Sequence, residues 1–170
     1  MIETRIDGLA LRLATPEDVP TILAFIRALA EYEKLLDMVV ADEAALQATL
    51  FGDKAYAEVV IADYQGKPAG FALFFHNYST FLAKPGIYLE DLFVSPSLRG
   101  LGIGKALITY LAALAVERDC GRLEWSVLDW NQPAIDFYQS LGAVMLHDWR
   151  INRVTGDTLT AMAGMFPAKV

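Results

Sequence analysis

Between residues 87 and 128 the chain reads as a strand, a glycine-punctuated turn, a long helix and a second strand. The first run, Ile-Tyr-Leu-Glu-Asp-Leu-Phe-Val at residues 87–94, is broken by Ser95-Pro96-Ser97 and followed by Gly100, Gly102 and Gly104. An uncharged apolar stretch then occupies residues 106–116, and a β-rich run follows at residues 122–128. Two strands separated by a crossover helix lie parallel in one sheet, with the helix on one face. The rest of the chain has to fold around that unit, so the class is α/β with a mixed sheet.

On the N-terminal side, residues 10–14 alternate and form a first strand. Thr15-Pro16-Glu17-Asp18 then supplies a capping hydroxyl, a proline in the first turn and acids beside the helix dipole. Apolar spacing carries that helix to about Leu35, and a shorter one fits residues 42–51, stopping at Gly52. The runs 56–63 and 69–78 flank Tyr64-Gln65-Gly66-Lys67-Pro68, a hairpin signal. The helix after the glycine turn extends to about Arg118. Asn131 can cap a helix over residues 132–141, closed by Gly142, and residues 144–151 and 158–165 read as two final strands. The predicted order is β-α-α-β-β-β-α-β-α-β-β, with a splayed central sheet, in a single domain over residues 1–170.

Bulk properties exclude several classes of function. The formal net charge is −7 and no basic run interrupts it, which argues against a nucleic-acid partner. The apolar run at 106–116 falls short of the roughly 18 residues of a membrane span, and the N-terminus lacks the basic start and apolar core of a signal peptide. One cysteine, Cys120, excludes an internal disulfide and a cysteine-built metal cluster. His76 and His147 lack companions at metal-ligand spacing, so no metal is expected. The expected compartment is the cytoplasm. A mean hydropathy of +0.34 leaves apolar surface for a subunit interface.

Three alternating glycines at a helix entry admit several readings. A P-loop fails, because the position five before Gly104 is Arg99 and Ala106 stands where a hydroxyl must hold magnesium. A dinucleotide fingerprint fails because its third glycine falls on Lys105 or Leu107. A merely flexible helix entry stays open on glycine content alone. The other reading is a pyrophosphate grip through the backbone N–H groups of Gly100, Leu101, Gly102, Ile103, Gly104 and Lys105, with Arg99 as a charged partner.

Two segments decide between these. Arg99-x-x-Gly102-x-Gly104 resembles the coenzyme A pyrophosphate motif of the GNAT N-acetyltransferase superfamily. Asn131-x-Pro133-Ala134-x-x-Phe137-Tyr138-x-x-x-Gly142-Ala143 resembles the late segment of the same superfamily, with an asparagine near the cofactor arm and a tyrosine facing its sulfur. Within it, residues 87–94, Trp130-Asn131-Gln132-Pro133 and Ala30-Glu-Tyr32-Glu33-Lys34 are similar to the diamine (spermidine/spermine) acetyltransferase family. Phe75-His-Asn-Tyr-Ser-Thr-Phe81 departs from the vertebrate polyamine enzyme toward the thialysine-preferring branch. The resemblance spans about residues 10–163.

It implies an acetyl-CoA-dependent N-acetyltransferase acting on a small cationic amine, as a homodimer. The amine must lose a proton before it attacks a thioester, and Glu90 is the candidate acceptor, directly or through a water. Adjacent strand residues face opposite sides, so at least one of Glu90 and Asp91 enters an apolar setting, where carboxylates seldom sit without a partner or a task. Backbone N–H groups near Leu92 and Phe93 can stabilise the oxyanion, and the cofactor arm is expected beside Leu92, Phe93 and Val94. Asn131, Pro133 and Ala134 join the expected cofactor contacts, and Tyr138 is expected to protonate the departing thiolate. Tyr32, Glu33, Glu90 and Asp91 offer carboxylates and an aromatic face for the amine. Rival readings are a protein or peptide amine acetyltransferase and a non-catalytic acyl-CoA-binding module. Retention of both Glu90 and Tyr138 argues against the second.

Overall fold

The computed structural model describes residues 1–167. The chain forms two compact units, Met1–Ser126 and a second that begins at Val127. In the first unit the strands are β1 (Ile2–Glu3), β2 (Leu9–Leu13), β3 (Glu58–Tyr64), β4 (Lys67–Ser79), β5 (Lys84–Val94) and β6 (Leu123–Trp125). Its helices are α1 (Val19–Tyr32), α2 (Glu43–Phe51) and α3 (Ile103–Glu117). The strands form one sheet in chain order, antiparallel except for the parallel pair β5–β6 that flanks the α3 crossover. The short β1 has too few residues to show a period and is absent from the sequence expectation.

Each face of this sheet buries one helical layer. Val19, Ile22, Leu23 and Phe25 of α1 and Leu46 and Leu50 of α2 cluster with Val59, Ile61, Phe71 and Phe93. Alternation then turns Val60, Ala72, Phe74 and Leu89 to the opposite face, and all four are buried. That face belongs to α3, whose Ile103, Leu107, Ile108, Leu111 and Leu114 are buried in turn. The Arg118 guanidinium at the end of α3 lies 6.0 Å from the Phe74 ring and donates to Glu58 at 2.6 and 2.8 Å.

The entry of α1 is locked by charge. Arg12 on β2 grips Asp18 with both terminal nitrogens, at 2.7 and 2.9 Å, and Asp63 on β3 through Nε at 2.7 Å. Asp18 also accepts from the Thr15 backbone N–H at 2.8 Å, completing a capping box. The hydrogen bonds from Arg12 hold the Asp18 carboxyl below the usual carboxylate range, against the opposing effect of burial.

The second unit departs from expectation. Its helix α4 (Gln132–Ser140) forms as predicted, but the two final strands do not. Residues 158–165 lie mainly in a helix, α5 (Gly156–Ala163), with Thr155 in extended conformation before it and Asp157 in its first turn. Leu159, Met162, Met165 and Phe166 sit at helical spacing, and Ala, Leu and Met favour a helix over a strand. Residues 144–151 are irregular apart from a turn at His147–Asp148, with Val144, Trp149 and Ile151 exposed. A β-rich run becomes a strand only beside a partner, and no ladder forms here among the described residues. Likewise β6 stops at Trp125, short of the predicted 128, and α1 stops at Tyr32, where Lys34 turns left-handed at φ 61°.

Replacing Arg12 by Met leaves Asp18 and Asp63 unpaired and is expected to cost about 3 kcal/mol of unfolding free energy at pH 7. Because pairing lowers the folded-state pKa of Asp18, the deficit narrows as pH falls below about 4, where the unfolded carboxyl takes its proton. Urea titrations of both proteins at pH 7 and pH 3.5 check this; an equal difference at both pH values contradicts it.

Candidate active site

Strand β5 builds the site through a change of register. Leu73 of β4 pairs with Asp91, but the next residue, Phe74, pairs with Leu89, so Glu90 has no residue opposite it. This bulge turns Asp91 to the face of α1, beside Leu73, and leaves Glu90 exposed. The parallel ladder to β6 covers only Ile87, Tyr88 and Leu89. From Glu90 onward, the outer edge of β5 faces no ladder partner among the described residues. Such an edge can receive an extended, amide-bearing arm.

After β5 a single 3₁₀ turn at Pro96–Leu98 redirects the chain. Gly100 and Gly102 are both left-handed, at φ 83° and 85°, which side-chain-bearing residues rarely adopt. A Cβ on Gly102 would also meet Ile6 Cδ1 at 3.0 Å. The Arg99 N–H donates to Pro96 O at 3.3 Å, and the next backbone N–H with a recorded acceptor is Ala106, to Gly102 O at 2.9 Å. Gly102 has no side chain with which to cap α3. The N–H groups of residues 100–105 therefore stay open at the positive end of a 15-residue helix. That arrangement fits a pyrophosphate.

Around this turn the fold gathers groups that are distant in sequence. Asp91 lies among carboxylates at the end of α1. Burial raises its pKa to about 6, with Glu90 and Glu33 adding like-charge repulsion. Burial also raises Glu33, the residue that terminates α1. The Arg99 guanidinium stacks on the Tyr32 ring at 4.7 Å, stands 5.9 Å from the Phe93 ring and donates through Nε to Val94 O at 3.2 Å. Alternation places Leu92 and Val94 on the α3 face and Phe93 on the α1 face. Neither the bulge at Glu90 nor the Arg99–Tyr32 stack has a sequence signal: both depend on pairing between distant segments.

The second unit holds the remaining expected groups on α4. Asn131 Oδ1 accepts from the Ala134 N–H at 3.4 Å, and Pro133 occupies the first turn. Seven residues make two turns, so Asn131 and Tyr138 share one side of this helix, with Ala134 between them. The Tyr138 carbonyl accepts from the N–H groups of Leu141 and Ala143, and Gly142 closes the helix at φ 89°.

Comparison with known proteins bears on this geometry. A sequence profile described as the acetyltransferase (GNAT) family matches residues 22–143. The chain belongs to that family and is an N-acetyltransferase. A thialysine N-epsilon-acetyltransferase of Bos taurus is 38% identical, over 91% of this chain and 96% of that protein. An L-ornithine N5-acetyltransferase of Arabidopsis thaliana is 36% identical, over 89% of this chain and 86% of that one. Among solved structures, an integron cassette protein from V. cholerae superposes with a TM-score of 0.77 at 28% identity, covering 92% of this chain and 98% of its own.

The folded chain holds the Asp91 proton up to about pH 6, whereas an unfolded aspartate releases it near pH 3.9. Its contribution to stability is therefore full below about pH 4 and is lost as pH rises to 6. Asp91→Asn should remove that decline and be more stable than the parent at pH 7. Denaturant midpoints from pH 4 to 7 measure it, and parallel curves for the two proteins rule out the assignment.

Proposed function

We propose that this single-domain N-acetyltransferase moves an acetyl group from acetyl-CoA to a primary amine of a small cationic substrate: a diamine or polyamine, thialysine or a related basic amino acid. The observation that carries this reading is the half-buried Asp91, set with Glu33 and Glu90 beside an open anion-binding turn. Carboxylates held in partial burial with like-charged neighbours gain most from a cation. The thialysine and ornithine acetyltransferases act on substrates of that chemistry, which supports it.

Acetyl-CoA supplies a thioester activated toward nitrogen nucleophiles, and coenzyme A is the other product. The N–H groups of Gly100, Leu101, Gly102, Ile103, Gly104 and Lys105 hold the pyrophosphate. In the first unit the β5 edge at Leu92, Phe93 and Val94 lines the arm; in the second, Asn131, Pro133, Ala134 and Tyr138 are the residues that the family resemblance assigns to it. Tyr32, Glu33 and Asp91 hold the amine. Glu90, exposed at the bulge, takes the ammonium proton directly or through water. The neutral nitrogen then forms the new N–C bond as the C–S bond breaks, with a β5 N–H stabilising the carbonyl oxygen; the Tyr138 hydroxyl gives its proton to sulfur, and the second proton that the nitrogen sheds returns through solvent to the Tyr138 oxygen.

The exposed Val144, Trp149, Ile151, Met165 and Phe166 support a homodimer in which a second copy covers apolar surface. No helix of the described residues is long and apolar enough to cross a membrane. The proposed setting is the cytoplasm, with neither nucleic acid nor membrane as a partner.

A turnover screen with thialysine, lysine, ornithine, putrescine, spermidine and a basic peptide tests the reading. Activity with one or more of the small amines is expected; activity with the peptide alone refutes it. Tyr138→Phe should lower kcat by about 10²-fold, within the usual range for acid–base groups, while coenzyme A affinity stays nearly the same. Unchanged kcat removes Tyr138 from the chemistry. In kcat/KM against pH, the rise as Asp91 ionises, near pH 6, should vanish in Asp91→Asn.

A further inference from the structure

Arg99 opens the glycine turn, and its side chain is committed to the end of α1. The guanidinium carbon lies over the Tyr32 ring, 4.7 Å from its centroid, and Nε donates to Val94 O at 3.2 Å. A guanidinium is flat, so a face given to an aromatic ring leaves its edge for hydrogen bonds. Nε uses one donor on that edge. The terminal nitrogens have no recorded partner among the described residues, and the residue is exposed beside Gly100. One planar group can therefore stack on the amine-side tyrosine and donate to an anion in the turn.

The tyrosine occupies a sensitive position. Tyr32 is the last residue of α1, and Glu33 follows as its cap. The helix closes through bonds from Glu33 N–H to Leu29 O (2.9 Å), Lys34 N–H to Glu31 O (3.0 Å) and Leu35 N–H to Ala30 O (2.7 Å), around a left-handed Lys34. A terminal turn of this kind frays readily unless it is tied down from outside. The Arg99 stack is such a tie, and it reaches from the turn that receives the pyrophosphate.

We propose that Arg99 is a positioning residue that transmits occupancy of the glycine turn to the end of α1, so that the anionic cofactor and the amine bind with positive coupling. An anion on its terminal nitrogens fixes the guanidinium plane, the fixed plane orders Tyr32, and ordering Tyr32 sets Glu33 in place before the amine arrives. The coupling needs neither the acetyl group nor the thioester. It is reciprocal: the amine tightens cofactor binding by the same factor. The proposal rests on the amine reading of Tyr32 and Glu33 given above.

The probe is desulfo-coenzyme A, which carries the pyrophosphate but cannot react. Hydrogen exchange across residues 29–35 should slow when it binds the parent protein. Calorimetry should show L-ornithine binding about fivefold tighter in its presence, the low end of usual coupling factors. Arg99→Lys keeps the charge and loses the flat face; Tyr32→Leu keeps Arg99 and loses the ring. Both should bring the ratio of ornithine affinities to about one and abolish the added protection, while Tyr32→Phe retains both effects. The ratio is compared within each protein, so a general weakening of either ligand does not mimic the result, and Tyr32→Leu carries the test if Arg99→Lys folds poorly. Protection and coupling that persist in both variants overturn the proposal, as does their absence in the parent. Arg99-dependent protection with no ornithine, thialysine or spermidine binding in any protein removes the amine reading and the coupled binding, leaving only the transmission to α1.

Discussion

The register of β4 against β5 is the constraint on which the site depends. One extra residue, Glu90, lets Tyr88 and Asp91 face α1 while Leu89 stays buried on the α3 side. Strict alternation could not put a core leucine and a half-buried aspartate on opposite faces two residues apart. The bulge falls next to the end of the β5–β6 ladder. Loss of one pairing and shift of the other occur together, so a continuous strand becomes a surface with an open edge and a re-aimed carboxylate.

The rest of the first unit holds that strand still. Buried helical layers on both faces fix β5 through Phe93 on one side and Leu89 on the other, and the Arg12 cluster anchors α1 at the end opposite Tyr32. α1 is thus pinned at its entry by an ion-pair network, and at its exit the Arg99 guanidinium lies over Tyr32. A helix anchored at its entry can adjust at its exit, where it meets a ligand, without loosening the core.

Much of this was legible in the sequence because the signals are local. The strand–turn–helix from residue 87, the helix start at Thr15-Pro16 and the Asn131 cap each lie within a few residues of the structure they specify, and each appears where it was expected. The failures are equally physical. Residues 158–165 are expected as a strand, although Thr155, Asp157 and the spacing of Leu159 and Met162 specify a helix. Residues 144–151 have strand-like composition, but composition cannot supply the neighbour that a strand needs. At the site, one of two adjacent acids was expected in an apolar setting; which one depends on a bulge, and hence on β4. The half-buried one is Asp91, while Glu90 was the favoured residue for chemistry. The Arg99–Tyr32 stack joins two motifs that local reading treats separately.

The open edge of β5 has one more consequence. An unpaired strand edge beside aromatic and aliphatic side chains is a template on which another chain can add itself, and sheet proteins that leave one exposed risk sticking to one another. Here the open stretch begins with Glu90 and Asp91 and with a kink in the strand. Two adjacent negative charges and a bent backbone are among the devices that make an edge a poor partner for an incoming strand. The two acids and the bulge thus work against a second polypeptide pairing with the open stretch of β5.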